Sequence, residues 1–201
     1  MRLISPEPRW KPQSRLTLSG LDTGTRRWLL DDGSLSQRLA TLGQFSVERR
    51  DQGWQRPLPS ERELLRLGCR ERALVREVVL RVDGTAVVFA RSVFPLQSVK
   101  GRLAHLRRLQ NRSLGSVLFR QPGMRRTPFE VVNVSGDSAY LPHDLHQQQS
   151  AWCRRSRFRV ASDTLMVSEV FLQSFRPWPK IQPVRRSLRG TVNAAIVLTT
   201  Q

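Results

Sequence analysis

An Asp-Gly pair between two runs of strand-forming residues constrains the fold of this chain more than any other feature. Residues 73–82 and 85–93 are rich in valine and other apolar residues, and only Asp83 and Gly84 separate them. Asp-Gly suits the two-residue turn of an antiparallel hairpin, because both central positions of that turn require a positive φ. The pattern therefore predicts a β-hairpin near the middle of the chain.

A second hairpin is predicted from residues 154–161 and 164–172, with its turn at Ser162 and Asp163. Segments with helical spacing lie between the strand-forming runs. Ser34 is suited to cap one of them, and other serines precede similar segments further along the chain. Antiparallel hairpins with intervening helices predict the α+β class, with helices packed on a single antiparallel β-sheet.

Two further helix starts follow from capping signals. Ser60 and Glu63 have the spacing of a capping box, and Ser113 can cap a short helix that ends near residue 119. The length of 201 residues fits one domain with a sizeable core. We expect a flexible N-terminal arm over residues 1–20, a folded domain over residues 21–177 and a basic C-terminal tail over residues 178–201, for which disorder is an open alternative.

The formal net charge of +18 is unusual for an ordinary globular domain. Such an excess can indicate binding to nucleic acid or to an anionic membrane. Apart from Lys11, Lys100 and Lys180, however, every basic residue is arginine, and the arginines are scattered over the whole chain. We interpret most of the excess as compositional bias and expect no nucleic-acid partner.

Several classes of protein lack support in the sequence. No apolar run approaches the ~20 residues that span a bilayer, so no stable membrane insertion is expected. Cys69 and Cys153 are too few for a disulfide framework, and His105, His143 and His146 lack metal-ligand spacing. The N-terminus has no uninterrupted apolar stretch typical of a signal peptide. We therefore expect a cytoplasmic protein without a metal.

Strand periodicity puts two arginines on one apolar face of the first hairpin. Counting back from the Asp-Gly turn, Arg76 lies opposite Arg91. Like charges directly opposed across strands are destabilising. Two explanations stay open: an anionic ligand lies between the guanidinium groups, or each forms an internal ion pair, for example with Glu130 or Glu169.

The second hairpin places a carboxyl group on an apolar face. With the turn at residues 162–163, Glu169 lies opposite Ser156, while Arg155, Arg157 and Arg159 occupy the other, solvated face. Glu169 could be the structural partner of an arginine or a group that hydrogen-bonds a substrate hydroxyl. One basic face and one acidic residue favour a small polar anion as ligand.

Four segments resemble the chorismate lyase family, in the order in which that family carries them. They are residues 32–39, the central hairpin over residues 75–95, residues 113–119, and the closing hairpin over residues 152–172. Each motif is short, but together they extend from Trp28 to Leu172 with consistent spacing. The resemblance implies an antiparallel sheet with helical flaps that enclose a buried ligand site.

The resemblance also implies a reaction and a set of site residues. Chorismate would be converted into 4-hydroxybenzoate and pyruvate, the first step of ubiquinone biosynthesis, by a monomer without a cofactor. Arg76 would bind the ring carboxylate and Glu169 the 4-hydroxyl, while Leu35 and Leu114 would line the pocket. Arg91 is our hypothesis for the second carboxylate of chorismate, that of the enolpyruvyl group.

The same fold also serves as the small-molecule-binding effector domain of some transcription regulators, which is the alternative function. Those proteins normally carry a DNA-binding helix-turn-helix domain upstream. The residues before Trp28 are too few to hold one, so we expect the enzyme rather than the sensor. Turnover of chorismate discriminates between the two.

Overall fold

One antiparallel sheet of eight strands forms the centre of the computed structural model, which describes residues 7–16, 21–101 and 103–175. The strands are β1 (Lys11–Pro12), β2 (Phe45–Gln55), β3 (Ala73–Val82), β4 (Thr85–Pro95), β5 (Arg125–Arg126), β6 (Glu130–Val134), β7 (Ala151–Val160) and β8 (Asp163–Phe171). Their order across the sheet is β1-β6-β7-β8-β4-β3-β2, and β5 pairs with β7 beside β6. The predicted α+β fold with a single antiparallel sheet is confirmed.

Within the described ranges, five short α-helices and three 3-10 turns connect the strands. The helices are α1 (Thr23–Leu29), α2 (Leu35–Leu39), α3 (Pro59–Leu65), α4 (Leu96–Lys100) and α5 (Leu114–Leu118), and the turns are Gln13–Arg15, Ala104–Arg108 and His143–Leu145. Ser34 and Ser113 cap α2 and α5 as predicted. The predicted capping box at Ser60 is wrong, because α3 begins earlier and Glu61 accepts from the Leu58 N–H at 2.9 Å.

The first hairpin turns at Asp83 and Gly84, whose φ values of 49° and 76° match the expected turn. Its register differs from the prediction, because β4 contains one extra residue between Ala86 and Val88. This bulge moves every residue beyond it to the other face of the sheet. The predicted pairing of Arg76 with Arg91 is therefore wrong.

The pairs that form instead separate the two arginines. Arg76 lies opposite Ser92, and Arg91 lies opposite Glu77. The two pairs are adjacent along the strands, and successive residues of a strand point to opposite faces, so Arg76 and Arg91 lie on different faces of the sheet. We name them the Arg76 face and the Arg91 face.

The second hairpin turns one residue earlier than predicted, at Ala161 and Ser162, where Ala161 has a φ of 55°. Glu169 consequently pairs with Arg154 and not with Ser156. A shift of two residues in the pairing leaves the face unchanged. Glu169 therefore remains on the apolar face, which is the Arg76 face.

Both faces of the sheet are covered. On the Arg76 face, Trp28 of α1, Leu35 of α2 and Leu114 of α5 are buried against the strands. On the Arg91 face, Leu65 of α3 packs on the sheet, and so do residues of the connection between β6 and β7. No helix within the described ranges has the length and apolar character needed to cross a bilayer.

Part of the N-terminal arm, which was expected to be flexible, and the connection between β6 and β7 pack on the sheet. In the N-terminal arm, Lys11 and Pro12 pair with β6, and the Gln13 N–H donates to the carbonyl oxygen of Phe129, so this part of the arm is an edge strand. In the connection over residues 135–150, Tyr140 and Leu141 are buried. The predicted tail over residues 178–201 lies outside the described residues.

Candidate active site

A mostly apolar cavity lies between the Arg76 face of the sheet and the first residues of α2 and α5. Leu35 and Leu114 are the first residues of these two helices, and both line the cavity. The two helix starts are joined, because the Ser113 hydroxyl donates to Ser36 Oγ at 2.6 Å. Helical segments thus cover the cavity, as the predicted flaps would.

Among the described residues, three charged side chains line this cavity: Arg76, Arg126 and Glu169. Arg76 and Glu169 project from β3 and β8, which are separated by β4. Their partners on β4 are two residues apart, so strand spacing puts their Cα atoms roughly 12 Å apart. A cation and a carboxyl group therefore lie toward different ends of one apolar space.

Arg76 is 1% exposed and forms no ion pair with any carboxylate in the described ranges. Its Nη2 donates to the carbonyl oxygens of Gln110 and Arg112 at 2.7 and 3.0 Å, whereas Nε has no partner there. Burial, together with repulsion from Arg49, lowers its pKa to about 10, so the group is still charged at neutral pH. Burying a cation without a counter-charge is costly, and an anion bound beside Arg76 would offset that cost.

Glu169 is held in place by a fully buried arginine. Arg154 Nε donates to Glu169 Oε2 at 2.5 Å, and Arg154 Nη1 donates to the carbonyl oxygens of Trp28 and Asp31. Glu169 Oε1 has no hydrogen-bond partner among the residues that the structure describes. One carboxylate oxygen is thus anchored to the end of α1, and the other is available as an acceptor in the cavity.

Arg126 is a cavity residue that the sequence did not reveal. Its Nε donates to Ser156 Oγ at 2.7 Å, and its guanidinium carbon lies 4.0 and 4.8 Å from the ring centroids of Phe129 and Phe158. Burial lowers its pKa to about 9, and the neighbouring Arg154 adds to this effect. No local pattern distinguishes it from the exposed Arg125, because β5 is only two residues long.

Arg91 does not line the cavity and lies on the opposite face of the sheet. Its Nε donates to Glu61 at 2.8 Å and its Nη1 to Glu77 at 2.5 Å. Burial disfavours the charge of Arg91, but the Glu61 and Glu77 carboxylates outweigh burial and raise its pKa. Its predicted position beside Arg76 is wrong, and we leave it out of the proposed site.

A second prediction about a residue on the Arg91 face is also wrong. Arg155 was expected to be solvated, but it is buried, pairs with Glu130 at 2.6 Å and lies over the ring of Trp10. Glu130 and Glu169 were the two carboxylates considered as ion-pair partners of Arg76. Glu130 pairs with Arg155 and Glu169 with Arg154, so neither pairs with Arg76. Within the described ranges, no three His, Cys, Asp or Glu side chains come together as a metal site would require.

Solved structures share the fold. The C-terminal domain of PhnF superimposes with a TM-score of 0.55 at 16% identity, covering 72% of this chain and 91% of that domain. The effector domain of PhnF from Mycobacterium smegmatis gives a TM-score of 0.51 at 14% identity, covering 70% and 89%. At this identity the likeness concerns the fold alone.

Sequence comparison identifies the family. A chain named probable chorismate pyruvate-lyase 2 from Pseudomonas fluorescens (strain Pf0-1) is 40% identical over 170 residues, which cover 82% of this chain and 89% of the relative. A probable chorismate pyruvate-lyase from Methylococcus capsulatus is 39% identical, covering 76% and 97%. The sequence model described as chorismate lyase matches residues 7–182. This chain therefore belongs to the chorismate lyase family.

Proposed function

We propose that this chain converts chorismate into 4-hydroxybenzoate and pyruvate. The observation that carries the proposal is a buried arginine without a counter-charge, Arg76, in the same apolar cavity as the anchored carboxyl group of Glu169. A ring with a carboxylate at one end and a hydroxyl at the other matches this pair of groups. The names of the relatives support the same reaction.

Each site residue has a proposed role in holding the ring. Arg76 binds the ring carboxylate through the guanidinium donors that the Gln110 and Arg112 carbonyl oxygens leave free, Nε among them. Glu169 accepts a hydrogen bond from the 4-hydroxyl with its unpartnered oxygen and so orients that hydroxyl. Leu35 and Leu114 pack on the ring from the helix side and keep water away from it.

The reaction is an elimination that balances without water, an oxidant or a reductant. The C–H bond of the hydroxyl-bearing carbon supplies the electron pair of the new ring double bond, and the neighbouring C–O bond breaks. Enolpyruvate leaves and takes up a proton to become pyruvate, while the ring becomes aromatic. Because aromatisation drives the step, the protein's contribution is positioning, exclusion of water and stabilisation of charge on the leaving group. We accordingly propose that no cofactor takes part.

The resemblance to the family also supports a proposal about the pathway, the location and the oligomeric state of this chain. The reaction would be the first step of ubiquinone biosynthesis, carried out in the cytoplasm by a monomer. Because α2 and α5 cover the cavity, we expect these helices to move when the product leaves, and we expect product release to limit turnover.

The proposal is tested by incubating the purified chain with chorismate in the presence of a metal chelator and no nucleotide. We expect 4-hydroxybenzoate and pyruvate in equal amounts. Arg76→Ala and Glu169→Ala should each lower kcat/KM at least about tenfold, the size of one lost charged hydrogen bond, whereas Arg159→Ala, at an exposed position, should not. Binding of 4-hydroxybenzoate without any turnover of chorismate would indicate an effector-binding domain instead.

A further inference from the structure

The charges that line the cavity do not balance. Arg154 neutralises Glu169 through their ion pair, whereas Arg76 and Arg126 form no ion pair with a carboxylate in the described part of the chain. The cavity therefore presents two cations without counter-charges. Chorismate carries two carboxylates and 4-hydroxybenzoate only one, so the substrate matches this charge pattern better than the product does.

Arg126 is fixed in orientation but retains capacity to bind. Its guanidinium carbon lies over the rings of Phe129 and Phe158, with Nε bound to Ser156 and Nη1 in a long contact of 3.3 Å with the Asp32 carbonyl oxygen. Nη2 has no hydrogen-bond partner among the described residues. A planar group held this way can donate two parallel hydrogen bonds to a carboxylate at little cost in conformational entropy.

Arg126 belongs to the Glu169 end of the cavity and not to the Arg76 end. Its partner Ser156 lies on β7, which pairs directly with β8, the strand of Glu169, whereas β8 and β4 both lie between β7 and β3, the strand of Arg76. The Glu169 carboxylate is close enough to act electrostatically on Arg126. In chorismate, the enolpyruvyl ether is attached to the ring carbon next to the one that bears the hydroxyl. With the hydroxyl at Glu169, the second carboxylate therefore lies at this end.

We propose that Arg126 binds the carboxylate of the enolpyruvyl group, a role for which Arg91 is unavailable; this inference rests on the proposed function. Arg126 then holds the leaving group beside the carbon from which it departs. Its positive charge also stabilises the negative charge that develops on enolpyruvate as the C–O bond breaks. Once pyruvate has left, Arg126 has no part in binding 4-hydroxybenzoate.

The decisive experiment separates substrate from product in one set of variants. Arg126→Met keeps a long apolar stem on Phe129 and removes the charge, and Arg126→Lys keeps the charge without the fork. Arg125→Ala, at the exposed neighbour in the same strand, is the matched control. For each, kcat/KM for chorismate is measured together with the Kd for 4-hydroxybenzoate.

We expect Arg126→Met to lower kcat/KM about 10- to 100-fold, as for the loss of a charged hydrogen bond, with the Kd for 4-hydroxybenzoate unchanged within about threefold. Arg126→Lys should recover part of the loss, and Arg125→Ala should match the wild type. An unchanged kcat/KM, or an equal loss of turnover and product affinity, would overturn the assignment in favour of a structural role. A wild-type chain that does not cleave chorismate would instead refute the proposed function.

Discussion

Arg154 connects Glu169 to the last turn of α1, with one nitrogen on the carboxylate and another on backbone carbonyl oxygens of Trp28 and Asp31. The arginine is completely buried, and Glu169 reaches the cavity. A single side chain therefore holds both a proposed substrate-binding group and the helix that covers the same face of the sheet. Arg154 acts as a positioning residue.

Replacing Arg154 with Met is expected to cost about 3–5 kcal/mol of unfolding free energy, because it leaves Glu169 unpaired in a largely buried position. The double variant with Glu169→Gln should recover part of this loss, since the unpaired charge is then gone. Urea denaturation of the wild type and of these two variants measures both effects. A loss below about 1 kcal/mol, which is typical of exposed pairs, would contradict the described burial.

The ion pairs of Arg91, on the other face of the sheet, lead to a similar prediction about stability. Arg91→Met should destabilise the chain by about 3–5 kcal/mol, because Glu61 is completely buried and would lose its partner. A double-mutant cycle with Glu61→Gln should give a coupling energy of at least about 1 kcal/mol. Additive effects of the two substitutions would mean that the pair does not form.

The two hairpins explain which parts of the site the sequence could predict. The Asp83-Gly84 turn is a local signal, and the structure contains it. The bulge after Ala86 leaves no such signal, because Val87 and Val88 are both apolar and both buried. One extra residue nevertheless exchanges the faces, which is why Arg91 was assigned to the wrong one.

Glu169 kept its predicted face for the complementary reason. The turn at Ala161 shifted the pairing by two residues, and a shift of two preserves the side-chain alternation. Arg126 could not be found at all, because its surroundings come from Phe129 and Phe158, which no short-range pattern brings together. The partners of these buried charges are set by packing across the sheet, so local sequence patterns do not predict them.

Tyr140, the single tyrosine of the chain, provides a prediction about pH. Burial raises its pKa well above the ordinary value of 10.0, and the nearby Glu61 carboxylate adds to this rise. The unfolded chain loses the phenolic proton near pH 10 while the folded chain keeps it, so stability is unaffected below that pH and falls as pH rises above it.

Ultraviolet absorbance of the phenolate measures this titration directly. The folded chain should show no phenolate at pH values just above 10, whereas the chain in urea should titrate at its ordinary pKa. Superimposable titration curves in the two states would contradict the burial of Tyr140 against Ser168, to which its hydroxyl donates at 2.7 Å.

The two cysteines are expected to differ in reactivity. Cys69 is exposed, whereas Cys153 is buried in β7 and burial raises the pKa of its thiol. Only the thiolate is nucleophilic, so Cys153 should stay unmodified. Mass spectrometry after treatment of the native chain with iodoacetamide should find the label on Cys69 alone. Labelling of Cys153 at a similar rate would mean that β7 is accessible.

The central claim is that Arg76 and Glu169 bind the two ends of one ring, and comparing 4-hydroxybenzoate with benzoate tests it most directly. Calorimetry would give the Kd of both ligands for the wild type, Arg76→Ala and Glu169→Ala. We expect Arg76→Ala to weaken both ligands by about tenfold or more, and Glu169→Ala to weaken only 4-hydroxybenzoate by a similar factor. Equal weakening of both ligands by Glu169→Ala, or no weakening by Arg76→Ala, would contradict the assignment.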